Sequence, residues 1–357
     1  MAGGMRNHVI QLLTGMQQRG VEFCLFGDTS TWQGHIPDGV TFMPFSTTGQ
    51  LGATLPLQAL LRLKRYLSVN PMVVHSHGLS AAVTGCLAAR LAALPSLFTA
   101  HNIAPTGVIT NGMVTPILRN AQTVIAVTGA VKQSLLGMGI ASHKIEVISN
   151  GVTYAPAPTD SQDELRRRYG LPLDVPVVLA VGRLSHEKGF DVLVRSAAVI
   201  RHEINNVVVA IAGVGPDLHK LNALCDTLNL SGTVLFLGQV SNPRELMHCA
   251  TVTAIPSRAE GQSLVALEAM DAGCVIVASS TGGLVETLQG GEAGCLVEPE
   301  NEAALANAIV SLINHEATRR TYIESGKCHV HRNFSAEQMC DKTMDVYEKL
   351  FKQIREV

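Results

Sequence analysis

Two carboxylates and two cations are the side chains here whose spacing could do chemistry. The carboxylates, Glu260 and Glu268, lie in residues 251–273, TVTAIPSRAEGQSLVALEAMDAG. The apolar start, 251–255, reads as a short buried strand, 256–261 as a turn and 263–272 as a helix. Glu260 then falls in the loop at the carboxyl end of a strand and Glu268 about two helical turns later, so both can face one crevice. Between them, the backbone N–H groups of Gly261, Gln262 and Ser263 at a helix N-terminus make an anion site. The cations, Arg183 and Lys188, lie in residues 182–189, GRLSHEKG, again between a strand end and a helix start. A guanidinium fork and an ammonium group five residues apart can converge on a diphosphate and neutralise it as a leaving group. The chain has no D-x-D pair, so no metal is expected to bridge the diphosphate.

These side chains need rigid elements behind them, and strand-like runs alternate with helical patterns throughout. In the first half the runs are 21–27, 40–46, 71–78, 96–102, 123–129 and 144–152, with helices at 52–68 and 80–93 among the intervening segments. In the second half they are 177–183, 207–213, 233–238, 251–255, 274–280 and 294–299, followed by helices at 301–314, 316–328 and 336–354. The alternation argues for an α/β protein with parallel sheets. A chain of 357 residues is long enough for two such domains. We expect them at 1–153 and 161–330, joined through the proline-rich YAPAPTDS. With 46% apolar and 16% charged residues, disorder is excluded. The most apolar long window, 79–98, contains Arg90 and Pro95 and reads as a helix followed by a strand rather than a membrane span.

Residues 1–150 hold 9 Lys and Arg against 4 Asp and Glu, whereas the remainder hold 18 against 25. The basic first half fits either peripheral contact with an anionic membrane face or simple solubility. The first twenty residues carry Arg6, His8, Gln17, Gln18 and Arg19, unlike a secretory signal. Eight cysteines without a C-x-x-C pair fit a reducing, cytoplasmic setting. The lone G-x-G at 213–215 has no third glycine in register and does not by itself indicate a dinucleotide site.

The run Glu260-Gly261-Gln262-Ser263-Leu264-Val265-Ala266-Leu267-Glu268-Ala269-Met270-Asp271-Ala272-Gly273 resembles the donor-binding segment of retaining glycosyltransferases of family 4. These have the GT-B fold, two Rossmann-like domains with parallel sheets. Residues 182–189 resemble that family's G-R-L-x-x-x-K-G motif. The resemblance implies transfer of a sugar from a nucleotide-diphosphate sugar to a glycan, lipid-linked or small-molecule acceptor, with retention of anomeric configuration. Arg183 and Lys188 would bind the diphosphate, and backbone of Gln262, Ser263 and Leu264 would cap the β-phosphate. Glu268 would hold the ribose hydroxyls and Glu260 the transferred sugar. The base would rest on the loop from Gln239 and Val240 to Asn242, and His101, in FTAHN, would contact the sugar. His75 and His77 are read as structural or as lining the acceptor side. Alanine in place of Lys188 or Glu260 is expected to abolish transfer with little loss of fold.

Further implications concern the ends of the chain and its partners. The helix at 336–354 would cross back onto the first domain. Residues 150–152, NGV, resemble the family's P-N-G-V-D hinge, with Ser149 and Thr153 departing from it. In the family a buried strand precedes the glycine loop that Gly3 and Gly4 resemble, and that loop lies against the donor diphosphate. Only Met1-Ala2 precede it here, so the first strand is expected to be missing. The donor is a substrate, so no cofactor, no metal and no nucleic-acid partner is expected, and the location is cytoplasmic or peripheral at the inner membrane face. Two other readings stand beside this one: an inactive or truncated nucleotide-sugar-binding protein, and a nucleotide-sugar epimerase of GT-B fold.

Overall fold

The chain is described by a computed structural model covering residues 3–32, 34–44, 57–103 and 115–355. It divides into two compact units, Met1–Thr153 with Ala336–Val357, and Tyr154–Ser335.

The first unit opens with the helix Gly3–Gln17. Its buried face, His8, Val9, Leu12, Leu13 and Met16, follows the helical repeat. The expectation of a Gly3-Gly4 loop is corrected here, because both glycines form the first helical turn. Glycine keeps both backbone hydrogen-bonding groups and so can form a helical turn, at the cost of its larger conformational freedom in the unfolded chain. The strands are β1 (Cys24–Gly27), β2 (Thr41–Pro44), β3 (Val74–His77), β4 (Ser96–Ala100), β5 (Thr123–Ala126) and β6 (Ile145–Val147). β1 and β2 pair in parallel, as do β3-β4-β5-β6 in that order. Among the described residues β1 and β3 do not pair. The opening helix spans both sheets through two apolar clusters: Val9 and Leu13 join Trp32, while Leu12 and Met16 join Leu97, Ile125 and Tyr347. Tyr347 belongs to the final helix, Ala336–Arg355, which packs on the opening helix. Residues 45, 46 and 52–56, expected in a strand and a helix, lie outside the described residues.

The second unit is one six-stranded parallel sheet. Its strands are β7 (Val177–Val181), β8 (Val208–Ala212), β9 (Val234–Gly238), β10 (Val252–Ile255), β11 (Val275–Ser279) and β12 (Cys295–Val297). Their order is β12-β11-β10-β7-β8-β9. β8, β10 and β11 are buried along their whole length, which is why they read as continuous apolar runs rather than as alternations. The helices Phe190–Glu203 and Glu302–Asn314 pack together on the sheet, burying Leu193, Ala197, Ile200, Leu305 and Ile309. Each large aliphatic side chain buried there contributes about 1.5–3 kcal/mol. The chain runs outward from β7 to β8 and β9, then returns to β10 and runs the other way. The boundary between β7 and β10 is therefore a topological switch point, where loops at the carboxyl ends of the two strands diverge and leave a crevice.

Candidate active site

The loop after β7 carries Arg183 and Lys188, and the loop after β10 carries Glu260, so the switch point brings both loops together. Lys188 Nζ donates to Glu260 Oε1 at 2.6 Å, and Ser257 Oγ donates to the same oxygen at 3.0 Å. The Glu260 side chain is 6% exposed and that of Lys188 29%. Arg183 is exposed and makes no ion pair among the described residues. An ammonium group this close to a buried carboxylate means that removing Lys188 leaves a charge stranded. The expected mildness of a Lys188 replacement toward the fold is revised accordingly.

Backbone contacts hold these loops in place. Gly189 has φ +65°, and a Cβ there would lie 2.0 Å from the Pro256 carbonyl oxygen, so only glycine lets the two loops approach this closely. Arg258 donates from its backbone N–H to Glu187 O at 2.8 Å. Its guanidinium grips Asp191 through both carboxylate oxygens, at 2.8 and 2.9 Å, and also reaches His186 O and Glu300. The Arg258 side-chain bonds hold the Asp191 carboxyl well below the usual carboxylate range, against the opposing effect of its burial. On the other side, Gly283 N donates to Glu260 O at 3.0 Å and Thr281 Oγ1 to Arg258 O at 3.0 Å. The loops after β7, β10 and β11 thus form one braced structure.

Ser263 caps the helix Leu264–Ala272, its hydroxyl accepting from Ala266 N at 3.3 Å. Gly261, Gln262 and Ser263 are buried just before it, and Leu264 is its first residue. Glu268 follows one turn later. Burial pushes its carboxyl up to about 7, with Arg244 acting the other way. Arg244 is ion-paired with Asp271, whose other oxygen takes His331 Nε2 at 2.8 Å. Burial thus outweighs the pull of the Arg244 charge on Glu268. Gln239, exposed, and Val240 follow the edge strand β9, and Gly213 N donates to Gly238 O at 2.7 Å, tying that edge to the loop after β8.

The remaining site candidates belong to the first unit. His101 follows β4 and is 9% exposed. His77, at the end of β3, places Nδ1 3.2 Å from His101 Nε2. His75 is engaged by Tyr347 Oη at 2.6 Å and Thr99 Oγ1 at 2.8 Å, a structural arrangement. Gly3 and Gly4 start the helix whose Met5 lies against Gly78, the residue after β3. Sequence reasoning missed His8, which on the sequence is only one of several polar residues among the first twenty. It is 4% exposed and its ring packs on His77 and His101 with centroids 5.3 and 4.6 Å away. The signal was present, since His8 adjoins Val9 and lies one turn before Leu12 on the apolar stripe.

Two parallel-sheet α/β units, the second with a braced ion pair at its switch point, define a protein of GT-B fold. A glycosyltransferase from Rickettsia africae superposes with a TM-score of 0.83 at 21% identity, over 98% of this chain and 96% of that one. Anabaena HepE, solved with UDP and glucose, also gives 0.83, at 23% identity over 96% and 95%. Residues 161–329 match the family described as Glycosyl transferases group 1, and residues 2–155 match Glycosyltransferase Family 4. The chain belongs to the group 1 glycosyltransferases. Among its relatives are an alpha-maltose-1-phosphate synthase of Mycobacterium tuberculosis, 27% identical over 98% of this chain and 96% of the relative. A D-inositol 3-phosphate glycosyltransferase of Catenulispora acidiphila is 29% identical over 77% and 71%.

Proposed function

We propose that this glycosyltransferase moves a sugar from a nucleotide-diphosphate donor to an acceptor hydroxyl with retention of configuration. The observation that carries the reading is the Lys188–Glu260 pair across the switch point of the second unit. In the free protein the two charges hold one another at 2.6 Å. When donor binds, Lys188 turns to the diphosphate beside Arg183, and the released Glu260 accepts hydrogen bonds from hydroxyls of the transferred sugar. Backbone N–H groups of Gln262, Ser263 and Leu264 cap the β-phosphate, and Glu268 takes the ribose hydroxyls. The base rests on the loop from Gln239 and Val240, and His101 contacts the transferred sugar. The bond between the anomeric carbon and the β-phosphate oxygen breaks as the acceptor oxygen bonds the same face, and the acceptor proton passes to the departing phosphate. Arg183 and Lys188 neutralise the charge that develops there, so no bridging metal is required.

The relatives named for maltose-1-phosphate and inositol 3-phosphate favour a small phosphorylated acceptor over a lipid-linked one, and the basic first half suits such an anion. Among the described residues no helix is long and apolar enough to cross a membrane. The test is a donor and acceptor panel: UDP-, GDP- and ADP-sugars with phosphorylated sugars and polyols, the product anomer read by NMR. Transfer with retention, lost in K188M and E260Q, is expected. An inverted product, or donor binding without turnover across the panel, contradicts the proposal.

A further inference from the structure

The first unit gathers three histidines, from three separate elements, at one point. His8 comes from the opening helix, His77 from β3 and His101 from the end of β4. Each offers a ring nitrogen, and these three atoms all lie within 4.8 Å of one another. Two of them, His77 Nδ1 and His101 Nε2, are 3.2 Å apart. Ligands at about 2.0–2.1 Å in a tetrahedral zinc site stand about 3.3 Å from each other, so this pair already has the spacing of one tetrahedron edge. The His8 nitrogen lies within 4.8 Å of the other two and would have to close toward them to complete a tetrahedron face.

His8 is the second observation. Its ring is buried, and among the described residues neither nitrogen has a hydrogen-bond partner in good geometry, although the Asn150 side chain lies near enough to act on the ring. A buried polar nitrogen left this way costs about 1–3 kcal/mol, and ligation to a metal would remove that cost. His75 behaves differently: Tyr347 and Thr99 occupy both its nitrogens. Its ring packs on His77 at a tilt of 32°, centroids 4.3 Å apart, and so positions a ligand without being one. Burial holds all four rings below their ordinary range, His8 at about 4 and His75 at about 3, with His77 and His101 also pushed well down. Neutral imidazoles need shed no proton to bind a cation at neutral pH. His77 remains partly exposed, which provides an entry.

We infer that His8, His77 and His101 form a three-histidine site for a divalent transition cation of the zinc type, with a water in the fourth position. This site differs in kind from a metal that bridges a diphosphate. It uses nitrogen ligands that suit zinc, cobalt, nickel or copper and not magnesium. Binding itself is independent of any role in transfer. The consequence that zinc would withdraw His101 from the donor rests on the function proposed above.

The test is calorimetric titration of metal-free, tag-free protein with Zn2+ near pH 7.5, repeated with Co2+ to read its visible absorption. One equivalent is expected to bind with a Kd of about 1 µM or tighter, and Co2+ to give the intense bands of a tetrahedral site. H8Q and H77Q are each expected to weaken binding about 100-fold, whereas H75Q keeps it within about 10-fold. Melting curves identify any variant that fails to fold, and H8N and H77N then take its place. No binding up to about 100 µM Zn2+ would overturn the inference. So would a single equivalent retained by folded variants of both His8 and His77, or one abolished by H75Q alone.

Discussion

Glu268 offers the sharpest test, because its environment sets stability against function. An exposed glutamate titrates at 4.5, and burial carries this one to about 7. The folded pKa is the raised one, so the unfolded chain loses its proton first as pH rises. The stability of the protonated form is therefore fully present below pH 4.5 and is lost as pH rises through 7. Above that point, holding the buried carboxylate ionised costs about 3 kcal/mol. E268Q fixes the neutral form at similar shape. It should melt with the wild type near pH 4.5 and above it near pH 8.5, by about 6–12 °C at 2–4 °C per kcal/mol for a unit of this size. The assay is a series of melting curves across that range, with nucleoside diphosphate binding measured in parallel. If Glu268 holds the ribose hydroxyls as proposed, binding should be lost or weakened in E268Q, because the amide replaces one of the two acceptor oxygens with a donor NH2. In the wild type binding should weaken as pH falls below about 7, where the carboxyl takes up its proton. A difference in melting temperature that stays flat with pH, or an E268Q protein less stable than wild type at pH 8.5, would refute the reasoning.

K188M should reduce kcat by about 10²–10³-fold, and by stranding Glu260 it should cost about 1–3 kcal/mol of stability; a K188M protein that is both active and as stable as wild type is the contrary result. G189A places a Cβ against the Pro256 carbonyl at a positive φ and should cost about 3 kcal/mol or more, read as a large fall in melting temperature; unchanged melting would show that the loops are not pinned there. His8, His75, His77 and His101 have folded pKa values below the ordinary 6.5. Their stabilising effect is therefore present above pH 6.5 and lost as pH falls, by about 1.4 kcal/mol per ring per pH unit. Unfolding near pH 5.5 should take up protons, and a melting temperature independent of pH between 7.5 and 5 would contradict this.

The alternation of apolar runs and helical stripes was enough to read an α/β chain with parallel sheets, because strands buried on both faces must be continuously apolar. The motifs were also legible. GRLSHEKG and EGQSLVALEAMDAG each place a charge just past a strand end, and strand ends are where a parallel sheet leaves room for a ligand. Local pattern misled at Gly3 and Gly4, where glycine suggests a turn although the first turn of a helix tolerates it equally well.

Some features were settled only by tertiary structure. Residue order alone does not say that β7 and β10 are neighbours, so it does not reveal that Lys188 and Glu260, from separate loops, share a hydrogen bond. Nor does it show that the fold buries Glu268 deeply enough to raise its carboxyl to about 7 despite the nearby Arg244. His8 is the plainest case. On the sequence it is a polar residue of an amphipathic helix, and its companions His77 and His101 lie far along the chain. Identity and spacing determine what a segment becomes, whereas the charge state of a group depends on what the fold packs around it, and those neighbours arrive from distant strands.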